Sequence, residues 1–336
     1  MRSTVCGMLA MMLVVSGCSS KLMDTTPATV AAATAAVSPP PKTTPAGQVL
    51  ALKAPAQSAI FDTSLAALVV FTPEADPNAA ASLTIFGPSG TPRTVALPGP
   101  ATAVAGDGHG TAYASTRGGI VTVDLAAGTA VSTPITGEAD TDFTAIARRA
   151  DGRLVLGSAT GVAYTLGADL AVSARSEIFA RVDAIVTSGD VAVVLDRGQT
   201  SVTALNAQGS PQQALRAGLG ATTIAADPMG RVLVADTRGG QLLVFGADPL
   251  IERQAYPVGE SPYGVVGSKT LVWVSMTADN VVVGYDLATG IPVEKVRYPT
   301  VQQPNTLAFD DASGTLYVVS GSGAGVQVIR HAAGPA

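Results

Sequence analysis

Gly230-Arg231-Val232-Leu233-Val234-Ala235-Asp236-Thr237-Arg238-Gly239-Gly240-Gln241-Leu242-Leu243-Val244-Phe245 is the clearest copy of a unit that recurs through most of the chain. Two apolar runs, at 232–234 and 242–245, flank Asp236-Thr237-Arg238-Gly239-Gly240, which is dense in turn formers. The pattern predicts two buried strands joined by a glycine turn. Working outward, a glycine or its equivalent precedes the second strand of each copy. Gly110, Gly152, Gly189 and Gly230 are 42, 37 and 41 residues apart, and Gly314 follows after 84, twice 42. Gly267-Ser268-Lys269-Thr270, leading into Leu271-Val272-Trp273-Val274, supplies the copy in between, and Leu65-Ala66-Ala67 before Leu68-Val69-Val70-Phe71 supplies a first. Seven units of short strands at a period near forty residues predict an all-β fold, a seven-bladed β-propeller with four antiparallel strands per blade.

In the fifth copy the four strands are expected at 222–226, 232–235, 242–245 and 253–258; in the third, at 144–147, 154–157, 162–166 and 171–175. The last copy offers strands at 305–309, 316–319 and 326–329 and then stops without an outer strand. Gln48-Val49-Leu50-Ala51-Leu52 lies ahead of the first inner strand, and pairing it with 326–329 would close the ring and hide a sheet edge.

The unit at 230–245 resembles the NHL repeat. Leu271-Val272-Trp273-Val274-Ser275, followed by Asn280-Val281-Val282-Val283-Gly284-Tyr285-Asp286-Leu287-Ala288-Thr289-Gly290, is similar to the YVTN-type repeat of bacterial surface propellers. This resemblance implies a fold and no single function, because propellers host binding modules, lyases, lactonases and dehydrogenases alike.

Arg2, an apolar segment over 5–15, and Val15-Ser16-Gly17-Cys18 resemble a bacterial lipoprotein signal peptide with its lipobox. The apolar segment is about half of the ~20 residues that span a bilayer, which points to a removed signal. The resemblance implies cleavage after Gly17, lipidation of Cys18 with diacylglycerol and a further acyl chain, and an extracytoplasmic protein anchored to the cell membrane. More than one acyl chain gives firm anchoring. Cys6 would leave with the signal, and a single alkylated cysteine permits no disulfide within the chain. The expected divisions are a signal peptide at 1–17, a lipidated spacer rich in Thr, Ala and Pro at 18–47, the propeller at 48–331 and a tail at 332–336. The spacer composition favours extended, polyproline-like or disordered chain.

The chain has 336 residues, 47% hydrophobic and 13% charged, with 36 Gly, 22 Pro and only 4% aromatics. Such a core is filled by Val, Leu, Ile and Ala, which suits stacked sheets. The net charge of −5 and the absence of any Lys/Arg run exclude nucleic acid as a partner.

In a propeller of this kind, turns between inner and second strands lie on one face. Turns between second and third strands share the opposite face with the links between blades. Turns such as Asp107-Gly108-His109-Gly110 on the first face read as hairpin chemistry. On the opposite face, Arg117, Arg197 and Arg238 take the same place in three blades, each before a glycine. They form either an anion-binding rim or local bonds to their own blades, for example to Asp196 and Asp236. The links bring Asp140, Asp142, Phe143, Arg181, Tyr263, Gln303 and Asn305 to that face. Arg117, Arg197, Arg238, Asp142, Tyr263 and Asn305 are therefore the candidate binding face.

Catalytic constellations are sparse. His109 and His331 are the only histidines and sit in a turn and in the tail, so no histidine pair is available for metal or acid–base work. A lactonase-type calcium site would need groups such as Asn280, Asn305, Asp142 and Glu260 to converge on the channel. Gly321-Ser322-Gly323-Ala324-Gly325 leads into a strand, not the helix that a phosphate cradle needs. The expectation is a monomeric, non-catalytic binding scaffold without cofactor or metal. Its partners would be the membrane through Cys18 and an envelope protein or anionic glycan. The alternative is a metal-dependent lactonase- or lyase-like enzyme with its site at the channel mouth.

Overall fold

The computed structural model describes residues 27–52 and 54–334; the signal segment and Cys18 lie outside the described residues. Seven four-stranded antiparallel sheets make up the fold, and no helix occurs among the described residues. The fifth sheet shows how each blade is laid out. Its strands are Ala221–Ala226, Arg231–Asp236, Gln241–Ala247 and Leu250–Pro257, each hydrogen-bonded to the next. The second and third strands are buried on both faces, whereas the outer strand is mostly exposed. A blade sandwiched between two neighbours has no solvent face at its centre, which is why these strands read as continuous apolar runs rather than alternating ones.

Seven hydrophobic clusters hold the ring, one in each gap between neighbouring blades. Val193, Leu195 and Val202 of the fourth blade meet Val232, Val234 and Phe245 of the fifth. Trp273 of the sixth stacks on Phe309 of the seventh, with ring centroids 5.8 Å apart.

Closure follows the expected pairing. Gln48–Leu50 pairs antiparallel with Val326–Ile329, with Gln48 opposite Val328 and Leu50 opposite Val326. The seventh blade thus takes its outer strand from the start of the ring. Gln327, fully buried, latches this seam with its side chain: Oε1 accepts from the Val301 N–H (3.0 Å), and Nε2 donates to the carbonyls of Ala46 (2.8 Å) and Pro299 (2.9 Å).

Residues 27–47 form no strand, and from Thr29 onward they lie against the propeller. They run across the face that carries the second-to-third turns, from the fourth blade to the seventh, and continue into the closing strand. A proline-rich extended chain makes no internal hydrogen bonds, so its backbone groups are free to be taken by side chains beneath it.

Candidate functional site

The strap, residues 29–42, and the side chains under it define the most structured feature of this face. Val30 N–H donates to the Gly198 carbonyl (2.8 Å). Arg238 Nη2 donates to the Ala31 carbonyl (2.7 Å) and Arg197 Nη2 to the Ala33 carbonyl (2.5 Å). Ala36 N–H donates to Ser261 Oγ (2.9 Å). Gln303 clasps the next turn of chain from both sides: Nε2 donates to the Ala36 carbonyl (3.0 Å) and Oε1 accepts from the Ser38 N–H (3.0 Å). Ser38 Oγ donates to the Thr277 carbonyl (2.7 Å) and accepts from the Gln303 N–H (2.9 Å). Gln302 Nε2 donates to the Ser38 carbonyl (2.9 Å) and Asn280 Nδ2 to the Pro39 carbonyl (2.7 Å). Nearly every contact is made to the main chain of the strap. Only Ala33 and Ser38 are inserted, at 6% and 3% exposure, while Val37 between them stands 90% exposed.

Three of the clasping residues hold unusual backbone. Ser261, Asn280 and Gln303 have φ of +51°, +52° and +55°. Left-handed conformations in side-chain-bearing residues carry a cost of order 1–3 kcal/mol and persist where the surroundings enforce them.

The candidate residues separate into three groups. Arg117 reaches Asp140 (3.1 Å) and Asp142 (3.0 Å) in an exposed triplet at the second blade. Its charge is held by these acids, which raise its pKa, the Asp140 hydrogen bond first. Arg197 and Arg238 grip the strap. Arg197 and Arg238 thus share a partner that Arg117 does not. Nor do Asp196 and Asp236 serve as their partners. Asp236, 1% exposed, accepts from the N–H groups of Leu219 (2.9 Å), Gly220 (2.8 Å) and Gly239 (3.0 Å). Asp196 binds the N–H groups of Ala180, Arg181 and Gln199 in the same manner. Glycine is required around Asp236, because a Cβ at Gly218 or Gly239 would fall 2.0 or 1.9 Å from its carboxylate. The Asp of the turn motif thus stitches the fourth and fifth blades to the links before them.

Tyr263 and Asn305 form the third group. They line a pocket of about 380 Å³ at the channel mouth with Pro55, Gln57, Pro73 and Glu74. Asn305 Oδ1 accepts from Gln303 Nε2 (3.0 Å), which joins this pocket to the strap. His109 remains in its turn, its N–H bonded to Asp107 Oδ1 (2.7 Å), and His331 in the tail. Among the described residues no three His, Cys, Asp or Glu side chains gather in a way that would hold a metal.

Sequence reasoning placed Gln303 on this face without a role and missed Ser261, Asn280 and Ser38 as a set. The available signal was a lone Ser38 ahead of three prolines, opposite polar residues at the same edge of the sixth and seventh blades.

Compared with known proteins, the chain matches no family model, and no curated protein resembles it in sequence. Solved structures share its shape. A chain of the mitotic checkpoint complex superposes with a TM-score of 0.69 at 12% identity, covering 97% of this chain and 98% of that one. A streptogramin B lyase does so with 0.64 at 12%, covering 84% and 97%. Virginiamycin B lyase from Staphylococcus aureus gives 0.66 at 13%, covering 82% and 96%. At such identities the likeness shows the fold alone: this is a seven-bladed β-propeller, a class that serves both lyases and complex-forming proteins.

Proposed function

We propose that the protein is a lipid-anchored envelope scaffold whose propeller binds other molecules without catalysis. The observation that carries this reading is the strapped face, where Arg197, Arg238, Ser261, Asn280, Gln302 and Gln303 converge on the main chain of an extended segment. Side chains set out to bond a peptide backbone make a recognition surface, whereas proton transfer needs paired titratable groups. The lipobox around Cys18 supports the anchor. With Thr29 already against the face, only eleven Cα-to-Cα steps separate it from Cys18 (29 − 18). Fully extended they reach about 40 Å, so the strapped side is kept near the lipid.

In-cell crosslinking of the full lipoprotein, followed by purification and mass spectrometry, tests this reading. A specific envelope protein is expected in the crosslinked product, and its absence across crosslinkers of different length argues against a scaffold. A second reading, an enzyme at the channel mouth, draws on the pocket lined by Gln57, Glu74, Tyr263 and Asn305 and on the shared shape with lyases. Bound metal together with a melting temperature that falls on chelation would favour it. An anionic glycan bound through Arg117, Arg197 and Arg238 is less well supported, because each guanidinium already has a partner within the chain.

A further inference from the structure

The strap is an incomplete occupant of its own track. Pro39, Pro40 and Pro41 cover a small pocket of about 90 Å³ that Asn280 and Thr300 line from below. Asn280 Oδ1 and Thr300 Oγ1 are buried there without a hydrogen-bond partner, although both residues are at most 5% exposed. Proline has no N–H to offer, and three in succession leave the acceptors of this pocket unanswered. Elsewhere the track is well matched to an extended chain: it satisfies carbonyls at 31, 33, 36, 38 and 39 and N–H groups at 30, 36 and 38.

We infer that this track is a binding site for an extended, uncharged, small-residue segment of another envelope protein, which displaces the strap by supplying the hydrogen-bond donor that Pro40 lacks. The inference rests on the scaffold reading and specifies its partner. Two features set the specificity. Small side chains are demanded where Ala33 and Ser38 insert, five residues apart, and a polar side chain or N–H is favoured two residues beyond the second. Positions facing outward, as Val37 does, are unrestricted. The strap, tethered to the closing strand, competes at high local concentration, so only a segment with better hydrogen bonding than its own displaces it.

The test uses the full chain with a specific protease site inserted between Lys42 and Thr43. Cleavage leaves the propeller and closing strand intact and makes the strap a dissociable ligand. The probe is a fluorescent peptide of residues 27–42, read by anisotropy. Uncut protein is expected to bind it at least tenfold more weakly than cut protein. The Pro40→Asn peptide is expected to bind cut protein about tenfold more tightly than the native sequence. The Ser38→Trp peptide loses binding and the Val37→Trp peptide keeps it. Gln303→Ala in the protein weakens all of them at least tenfold while the melting transition stays cooperative.

Cut, folded protein that captures neither the native nor the Pro40→Asn peptide would overturn the inference. Equal affinity of those two peptides would remove the pocket from it. Concentration-dependent dimers of uncut protein, formed by exchange of straps, would reassign the occupant to a second copy of the chain. None of these results bears on whether crosslinking finds an envelope partner, so failure of the track and failure of the scaffold reading remain distinguishable.

Discussion

At the scale of single residues, buried polar groups decide more than surface charges do. Asp236 is the plainest case, because its carboxylate answers three backbone N–H groups in a space that two glycines keep open. Asp236→Ala strands those donors and should lower stability by about 3 kcal/mol, since each buried unsatisfied group costs ~1–3 kcal/mol; urea denaturation measures it. Glu138 gives a pH signature. Burial works against its charge, but hydrogen bonds from Thr141, Arg175 and Tyr164 hold its carboxyl below the usual range. Arg175 Nη2 lies 2.5 Å from its Oε1. A depressed carboxylate pKa contributes stability that is complete above its unfolded value, near 4.5, and is lost as pH falls through the folded value. Glu138→Gln should therefore melt below the parent at pH 7, by roughly 1 kcal/mol given the half-exposed arginine. The two curves should converge as the pH falls through the folded value, and melting temperatures measured from pH 7 downward provide the check.

At the scale of elements, the closing strand is the sharpest prediction. Deleting residues 48–52 removes the three-residue pairing to Val326–Ile329 together with Leu50 and Leu52, which pack against Leu68, Val70 and Val326. A loss of about 4 kcal/mol is expected from one buried and one half-buried leucine together with the lost strand pairing, a fall of about 10 °C in a domain of this size. A deletion that melts with the parent would refute the seam. This seam and the blades were legible in the sequence for the same reason. A strand sandwiched between blades needs an apolar run, a hairpin needs Gly or Asp, and both recur at fixed spacing. Val232 to Val234 and Leu242 to Phe245 carry that signal within a few residues. The strap was not legible, because its partners lie 164 to 267 positions away and are single polar side chains. Composition tells that 27–47 builds no core of its own, and nothing local tells which remote amides will take up its backbone. Asp236 illustrates a third case: the turn was recognised, but its acid was assigned to the neighbouring Arg238 rather than to the link behind it.

At the scale of the whole molecule, the proposed anchor and the ring make separate demands. Cys18→Ala should abolish lipidation, move the protein from the membrane to the soluble fraction, and leave the melting temperature unchanged. Metabolic labelling with a clickable fatty acid and fractionation measure this, and a labelled mutant would refute the anchor. The ring depends instead on joining Gln48–Leu50 to Val326–Ile329. Gln48 and Val328 stand 280 positions apart (328 − 48), so the closing strand waits for a partner synthesised long after it. A chain growing from its N-terminus therefore carries an unpaired edge until the seventh blade is made. Any product that stops short of residue 326 keeps that edge permanently, exposed to proteases and to other strands. Completeness of the ring is thus read out by the fold itself, and only a chain that has reached this last blade can pass inspection.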